Sequence, residues 1–251
     1  MKRPSFRRVI DIRTAGDVHS GEARVALEDD YHHFRVQLTF AHGRLSHASG
    51  TALRTPYTVC GDASAELQQL TGMPLEADCS AVTQFTNQRM HCTHMLDEAG
   101  LGIACAARGI KHRRYDIEVP RHINGVTQAA LHRDGSRVLC WDLEDDHIHG
   151  PAPYDGLPIG RGFSRWAAIN LDQDVQEAAL VLRRCAMISL GRLRNLDREI
   201  HARPSGHCFA QQPNRAEQAL RIVGSTQDFS KRSNELCAAD RPWLDELLSV
   251  D

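Results

Sequence analysis

Residues 125–143 read GVTQAALHRDGSRVLCWDL. Two short strand-like runs, Val126 to Leu131 and Arg137 to Leu143, flank Asp134-Gly135. Asp-Gly between such runs predicts a tight antiparallel hairpin, because both central residues of the favoured two-residue turn need positive φ. Just upstream, Arg114 to Val119 adds a third strand, so the region is a meander. The same pattern occurs 104 residues earlier. Gly21 to Leu27, ending Ala26-Leu27, aligns with Gly125 to Leu131, ending Ala130-Leu131; Asp30 then falls on Asp134 and Phe34 on Val138. Around it lie Arg7 to Ile12, Phe34 to Phe40 and Arg44 to Ser49.

The strands alternate with helical periodicity. Thr58 to Leu70 places Val59, Ala63, Leu67 and Leu70 on one face, with Gly72 as a stop; Thr93 to Arg108 repeats apolar residues at helical spacing before Gly109. After a loop over Gly150 to Gly162, a long helix is expected from Asp172 or Asp174 to about Ile200. A short helix over Arg215 to Val223 and an amphipathic stretch over Trp243 to Leu248 follow. The fold class expected is α+β: two similar halves, 1–110 and 111–251, each an antiparallel meander followed by helix. They would pack as one compact unit around a shared cleft, where pockets tend to form.

At 251 residues, 41% hydrophobic and 25% charged, the chain can bury a core without metal or disulfides. Thirty basic residues oppose 32 acidic ones and no basic tract tracks a phosphate backbone, so nucleic acid is not an expected partner. No membrane-length apolar window and no signal peptide are apparent, and eight scattered cysteines without a CxxC pair suit a reducing compartment; the expected location is cytoplasmic. Only three of the basic residues are lysines. That bias reflects either genome composition or a use of guanidinium groups on planar anions.

Three segments carry candidate chemistry. In Met90-His91-Cys92-Thr93-His94-Met95, Cys92 and His94 fall at a helix start, where free N–H groups lower a thiol pKa and favour neutral imidazole. Residues two apart on a helix diverge by about 200°. Cys92 and His94 therefore share a substrate only if Cys92 lies outside the helix. In Arg54-Thr-Pro-Tyr57-Thr-Val-Cys60, Arg54 can hold a carboxylate or phenolate and Tyr57 can relay a proton. A similar grouping recurs at His201-Ala-Arg203-Pro-Ser-Gly-His207-Cys208. In Asp145-Asp-His147-Ile-His149, strand alternation puts both histidines on one face, a weak metal pair lacking a third ligand. His32-His33 after Asp29-Asp30-Tyr31 reads as turn decoration. Nucleotide, serine-hydrolase and HExxH motifs are missing.

The strands from Arg8 to Leu27, the Arg54–Cys60 junction, Leu70-Thr-Gly-Met-Pro-Leu75 and above all Cys92-Thr-His-Met95 resemble the bacterial family of unknown function catalogued as DUF2889. Position 95 is Met where that family usually has Leu. The resemblance covers about residues 5 to 110. Because such proteins are common in soil bacteria that degrade aromatic compounds, it implies a catabolic role.

The leading expectation is an acid–base enzyme needing no cofactor, a carbon–carbon lyase or isomerase acting on a small phenolic or aromatic compound. Its catalytic candidates are His94, Tyr57 and Cys92; its substrate-binding candidates are Arg54, His47, Arg203 and His207. Two alternatives stay open: a metal-dependent enzyme with His147 and His149 among its ligands, and a non-catalytic binding or assembly module. A homo-oligomer is compatible with all three.

Overall fold

The computed structural model describes residues 3–247. Eight strands form one antiparallel sheet: β1 (Ser5–Gly16), β2 (Ser20–Asp29), β3 (His33–Ala41), β4 (Arg44–Arg54), β5 (His112–Pro120), β6 (Val126–Arg133), β7 (Ser136–Glu144) and β8 (His147–Ile148). Their order is β4-β3-β2-β1-β5-β6-β7-β8, so two meanders run outward from the central β1–β5 pair, in register from Ser5↔Pro120 to Arg13↔His112. The hairpin expected at Asp134-Gly135 is present, with φ of 52° and 83° and Arg133 opposite Ser136. His42-Gly43 turns β3 into β4 in the same way, at 52° and 71°.

The helices are α1 (Val82–Phe85), α2 (Thr93–Ala107), α3 (Phe163–Asn170), α4 (Gln173–Ser189) and α5 (Arg241–Glu246). On one face of the sheet α2 packs against β1, β2 and β3, and α4 against β5, β6 and β7. A single apolar core runs beneath both, from Phe34, Val36 and Leu38 to Tyr115, Leu131 and Trp141. The strands keep the 104-residue offset between the meanders, but β4 has eleven residues and β8 only two.

The opposite face of β1 and β2 is covered by the C-terminal tail, where Val9 and Ala26 pack with Phe229, Leu236, Cys237 and Leu244. Arg24 and Arg35 lie over the Trp243 ring at 5.4 and 5.1 Å. This explains why β1 is buried along nearly its whole length, as a strand covered on both faces must be.

Several helical expectations change. Thr58–Leu70 is a 3-10 helix rather than an α-helix, packed on β4. The long helix stops at Ser189 and continues as separate single turns, Leu190–Leu193 and Leu196–Arg198, where Gly191 passes the Tyr31 ring closely enough that a Cβ would sit 3.0 Å from it. Arg215 to Val223 is a chain of turns whose small side chains, Ala216 and Ala219, fill a satellite core with Tyr57, Ala202 and Ala210; bridges to His201 and Tyr57 replace the expected helix. The final amphipathic stretch is α5, and Leu248 lies outside the described residues. Among the described residues no helix is long and apolar enough to cross a membrane.

Helix α2 is buried on nearly all sides, and two glycines let it fit: a Cβ on Gly100 would lie 2.1 Å from the Cys79 carbonyl oxygen, and one on Gly102 would lie 2.9 Å from Leu38 and 3.0 Å from Val25. In an exposed helix, Gly to Ala gains about 1 kcal/mol. Here the sign should reverse, because backbone cannot yield as a side chain can. Gly100→Ala is expected to cost about 2 kcal/mol, within the range for overpacking, as read by urea denaturation; unchanged or increased stability would disprove this close approach.

Candidate active site

The turn between β2 and β3 builds a buried polar cluster. Arg8 stands directly opposite Asp29 in the β1–β2 register, and its Nε and Nη2 both donate to Asp29 Oδ2, the Nε at 2.9 Å. Asp29 Oδ1 accepts the backbone N–H groups of Tyr31 and His32 at 2.7 and 2.8 Å, an Asx turn that carries the chain into β3. The His32 Nδ1 lies 3.1 Å from the same oxygen. Burial opposes ionisation of Asp29, but Arg8 and His32 outweigh it and hold the carboxyl well below its usual range. With Nδ1 engaged by Asp29, His32 keeps Nε2 as its second ring nitrogen.

His94, in the first turn of α2, lies against this assembly. Its ring centroid is 3.9 Å from that of His32 and the planes are tilted by 31°. His94 is 5% exposed and its Nε2 has no hydrogen-bond partner. Burial, then the neighbouring His32 and Arg8, push its pKa well down, so the imidazole is neutral near pH 7. One turn further along the same helix, Glu98 is wholly buried with neither carboxyl oxygen bonded. Burial drives its pKa well up, and the carboxyl is protonated.

In front of the cluster is a cavity of about 380 Å³ between the two sheet-covering helices. Thr93, Asp97 and Leu101 of α2 face Leu180, Val181, Arg183, Arg184 and Met187 of α4 across it; Arg8, Ile10 and Leu27 form its floor, and Arg89, Gly206 and His207 lie along its rim. Asp97 pairs bidentately with Arg184, at 2.7 and 3.1 Å, tying the two helices together. Arg8 belongs to both features: it lines the cavity and grips Asp29. His94 directly follows the cavity residue Thr93, but neither it nor His32 lines the cavity; both lie behind its wall.

The sequence candidates distribute unevenly. Cys92 is the N-cap of α2 and so lies outside the helix, the condition under which it can share a site with His94, and its Sγ is 4.0 Å from His94 Nδ1. Burial pushes the Cys92 thiol well up, whereas a helix start alone would lower it. Arg54 is bonded to main chain: its guanidinium donates to the carbonyls of Asp29, Asp30, His32 and Ser225, and approaches Glu28. It braces the Asx turn from behind instead of lining the cavity. Tyr57 donates to Glu199 at 3.1 Å, with its pKa pushed up to about 12 by burial and by that carboxylate. Arg203 is exposed and pairs with the same Glu199. His47 sits exposed on β4 beside Gln68, away from the cavity, whereas His207 lies on its rim.

His147 and His149 lie exposed near Asp146 and Glu144. Among the described residues they join no group of three metal-ligating side chains. Such groups are Asp29–His32–His94, with ligand atoms within 4.8 Å of one another, and Glu28–Cys237–Asp240. The arrangement that sequence reading missed is therefore the one around Asp29 and His32. The overlooked signal was a second one too: Glu98, a charged residue four positions after His94 and so on the same helix face, within an apolar stretch.

Fold and site define an antiparallel α+β protein with a helix-walled cavity over a buried Arg-Asp-His-His cluster. Residues 7–105 match the family model described as "Protein of unknown function (DUF2889)". The resemblance read from the junction and the Cys-Thr-His motif thus holds from β1 through most of α2. That segment supplies the Arg8–Asp29–His32–His94 cluster and one cavity wall; α4, the other wall, lies beyond it. No curated protein matches the chain.

The Glu98 carboxyl makes a signed prediction. It holds a proton when folded at pH values where the unfolded chain, with an ordinary pKa near 4.5, has lost it, so this group makes stability fall as pH rises above 4.5 toward its raised folded pKa. The slope is about 1.4 kcal/mol per pH unit in that window. Glu98→Gln should therefore raise Tm at pH 7 to 8 relative to the parent and lose that advantage at or below pH 4.5. Parallel Tm-against-pH curves for the two proteins would contradict a buried neutral Glu98.

Proposed function

We propose that the protein is an acid–base enzyme that cleaves or isomerises a small phenolic or aromatic compound, a retro-aldol carbon–carbon lyase fitting its groups best. The observation that supports this reading most is the contact of a neutral His94, with an unengaged Nε2, against a His32 held by Asp29, directly behind a cavity large enough for a small aromatic molecule. The proposed chemistry takes place at the cavity end bounded by Arg8, Leu27 and Thr93. A histidine removes the proton from a substrate hydroxyl; the carbon–carbon bond then breaks, its electron pair staying on the carbon next to the ring while the oxygen-bearing carbon leaves as an aldehyde such as formaldehyde. The imidazolium returns the proton to that carbon. This sequence is redox-neutral and needs no electron carrier. Asp29 stabilises the cationic histidine while Arg8 keeps Asp29 ionised. The free thiols of all eight cysteines are compatible with work in a reducing cytoplasm.

A second reading has its own observation: the ligand atoms of Asp29, His32 and His94 are near enough together to surround one divalent ion. It ranks below the first because Asp29 already accepts from Arg8, from two backbone N–H groups and from His32. In that role it supports a histidine better than it binds a cation directly.

Incubating the protein with aryl compounds that carry a hydroxymethyl group on the carbon next to the ring, and assaying released formaldehyde, tests the proposal. Removal of a general base should lower kcat by about 10²- to 10⁴-fold in His94→Ala, with the folded state verified by circular dichroism. Undiminished turnover in His94→Ala would remove this histidine from the reaction. Elemental analysis of untagged protein separates the readings: near-stoichiometric zinc or manganese that disappears in His94→Ala would favour the metal site.

A further inference from the structure

The charges around the α2–α4 cavity do not cancel. Two of its guanidinium groups have carboxylate partners within the protein, Arg8 with Asp29 and Arg184 with Asp97. Arg183 and Arg89 have none among the described residues; Arg89 is exposed on the rim, whereas Arg183 is part-buried in the wall. The Arg183 Nε and Nη2 donate to the carbonyl oxygens of Ile159 and Gly160 at 2.6 and 2.9 Å, its guanidinium carbon lies 5.9 Å from the Phe163 ring centroid, and among the described residues no bond engages Nη1. The carbonyl bonds fix the direction of the group but place no carboxylate in contact with it. Burial, and then the adjacent Arg184, depress its pKa to about 10, so it remains cationic at neutral pH. An unpaired guanidinium in a cavity wall calls for an anion, and a planar carboxylate matches its paired N–H geometry.

Next to it the wall is apolar: Leu101, Leu180, Val181 and Met187 face the same space. A single unpaired positive charge in the part-buried wall, beside an apolar surface, selects a ligand with one negative group and a flat hydrophobic body. We propose that Arg183 forms an anion subsite and that the molecule bound in this cavity is an aromatic monocarboxylate, its carboxylate held at Arg183 and its ring between α2 and α4. Charge balance in the walls argues against a dianion, since Arg8 and Arg184 are already neutralised and Arg89 is exposed to solvent on the rim. The inference rests on the cavity being the substrate site, and it gives anion recognition to Arg183 instead of Arg54.

The test reads binding without turnover. Benzoate, 4-hydroxybenzoate and 4-hydroxy-3-methoxybenzoate, the amide of each, and inorganic phosphate are titrated by calorimetry into the parent, Arg183→Met and Arg183→Lys. The expected result is that acids bind the parent at least about tenfold more tightly than their amides. Arg183→Met should abolish that preference while keeping weak amide binding, and Arg183→Lys should retain part of it. Circular dichroism verifies that each variant is folded, and if Arg183→Met is not, the Lys variant and the acid–amide comparison in the parent decide. Equal affinity for acids and amides, no binding of any acid at about 10 mM, phosphate binding as tightly as the acids, or a full acid preference in Arg183→Met would each overturn the subsite. A His94→Ala protein that still cleaves substrate would overturn the acid–base reading and leave this binding result unaffected.

Discussion

The buried pair of Arg8 and Asp29 is the constraint around which the site is arranged. Ions buried this deeply are costly unless every polar atom is engaged, and here the Asp29 oxygens are filled by a guanidinium, two backbone N–H groups and an imidazole. Meeting that demand fixes three things together: the β1–β2 register that puts Arg8 opposite Asp29, the turn from β2 into β3, and the orientation of His32. Arg54 secures the same turn from the other side through its main-chain carbonyls. His94 then inherits its position from α2, which lies over the strands this pair holds in register.

Helix α2 consequently has two different polar faces. Toward the sheet it carries His94 and Glu98, both buried and uncharged; toward α4 it carries Thr93 and Asp97, which meet the cavity and Arg184. A helix hydrophobic on every other side can hold both because each polar residue is neutral or paired. Arg8 touches both environments, lining the cavity and gripping Asp29 behind it.

Much of this was readable beforehand. The Asp134-Gly135 hairpin, both meanders and the start of α2 depend on local turn chemistry and periodicity, which the amino-acid order displays directly. The 3-10 character of Thr58–Leu70 and the loss of helix over Arg215 to Val223 were not legible, because packing against β4 and small alanine contacts decided them over local propensity. In the site, His94 stood out through its neighbours Cys92 and Thr93. Asp29 and His32 looked like loop decoration, because their significance comes from Arg8, twenty-one residues away in sequence and opposite only after β1 pairs with β2. Arg54 was conspicuous for a real reason, but its partners are main-chain carbonyls, which no side-chain motif reveals. The cavity pairs residues from α2 with residues from α4 such as Asp97 and Arg184, 87 positions apart, and such a juxtaposition follows from topology alone.

The tail that covers Val9 and Ala26 has an implication for synthesis. Phe229, Leu236 and Leu244 emerge from the ribosome more than two hundred residues after the strands they cover. Until then the rear face of β1 and β2 is an apolar surface open to solvent, on the central strands of the sheet. Contacts so distant in sequence form slowly, and nascent chains with exposed strand surface associate readily. The first meander thus spends most of its translation time as an unfinished sandwich, and the segment around α5 acts as the closing layer of the N-terminal strands.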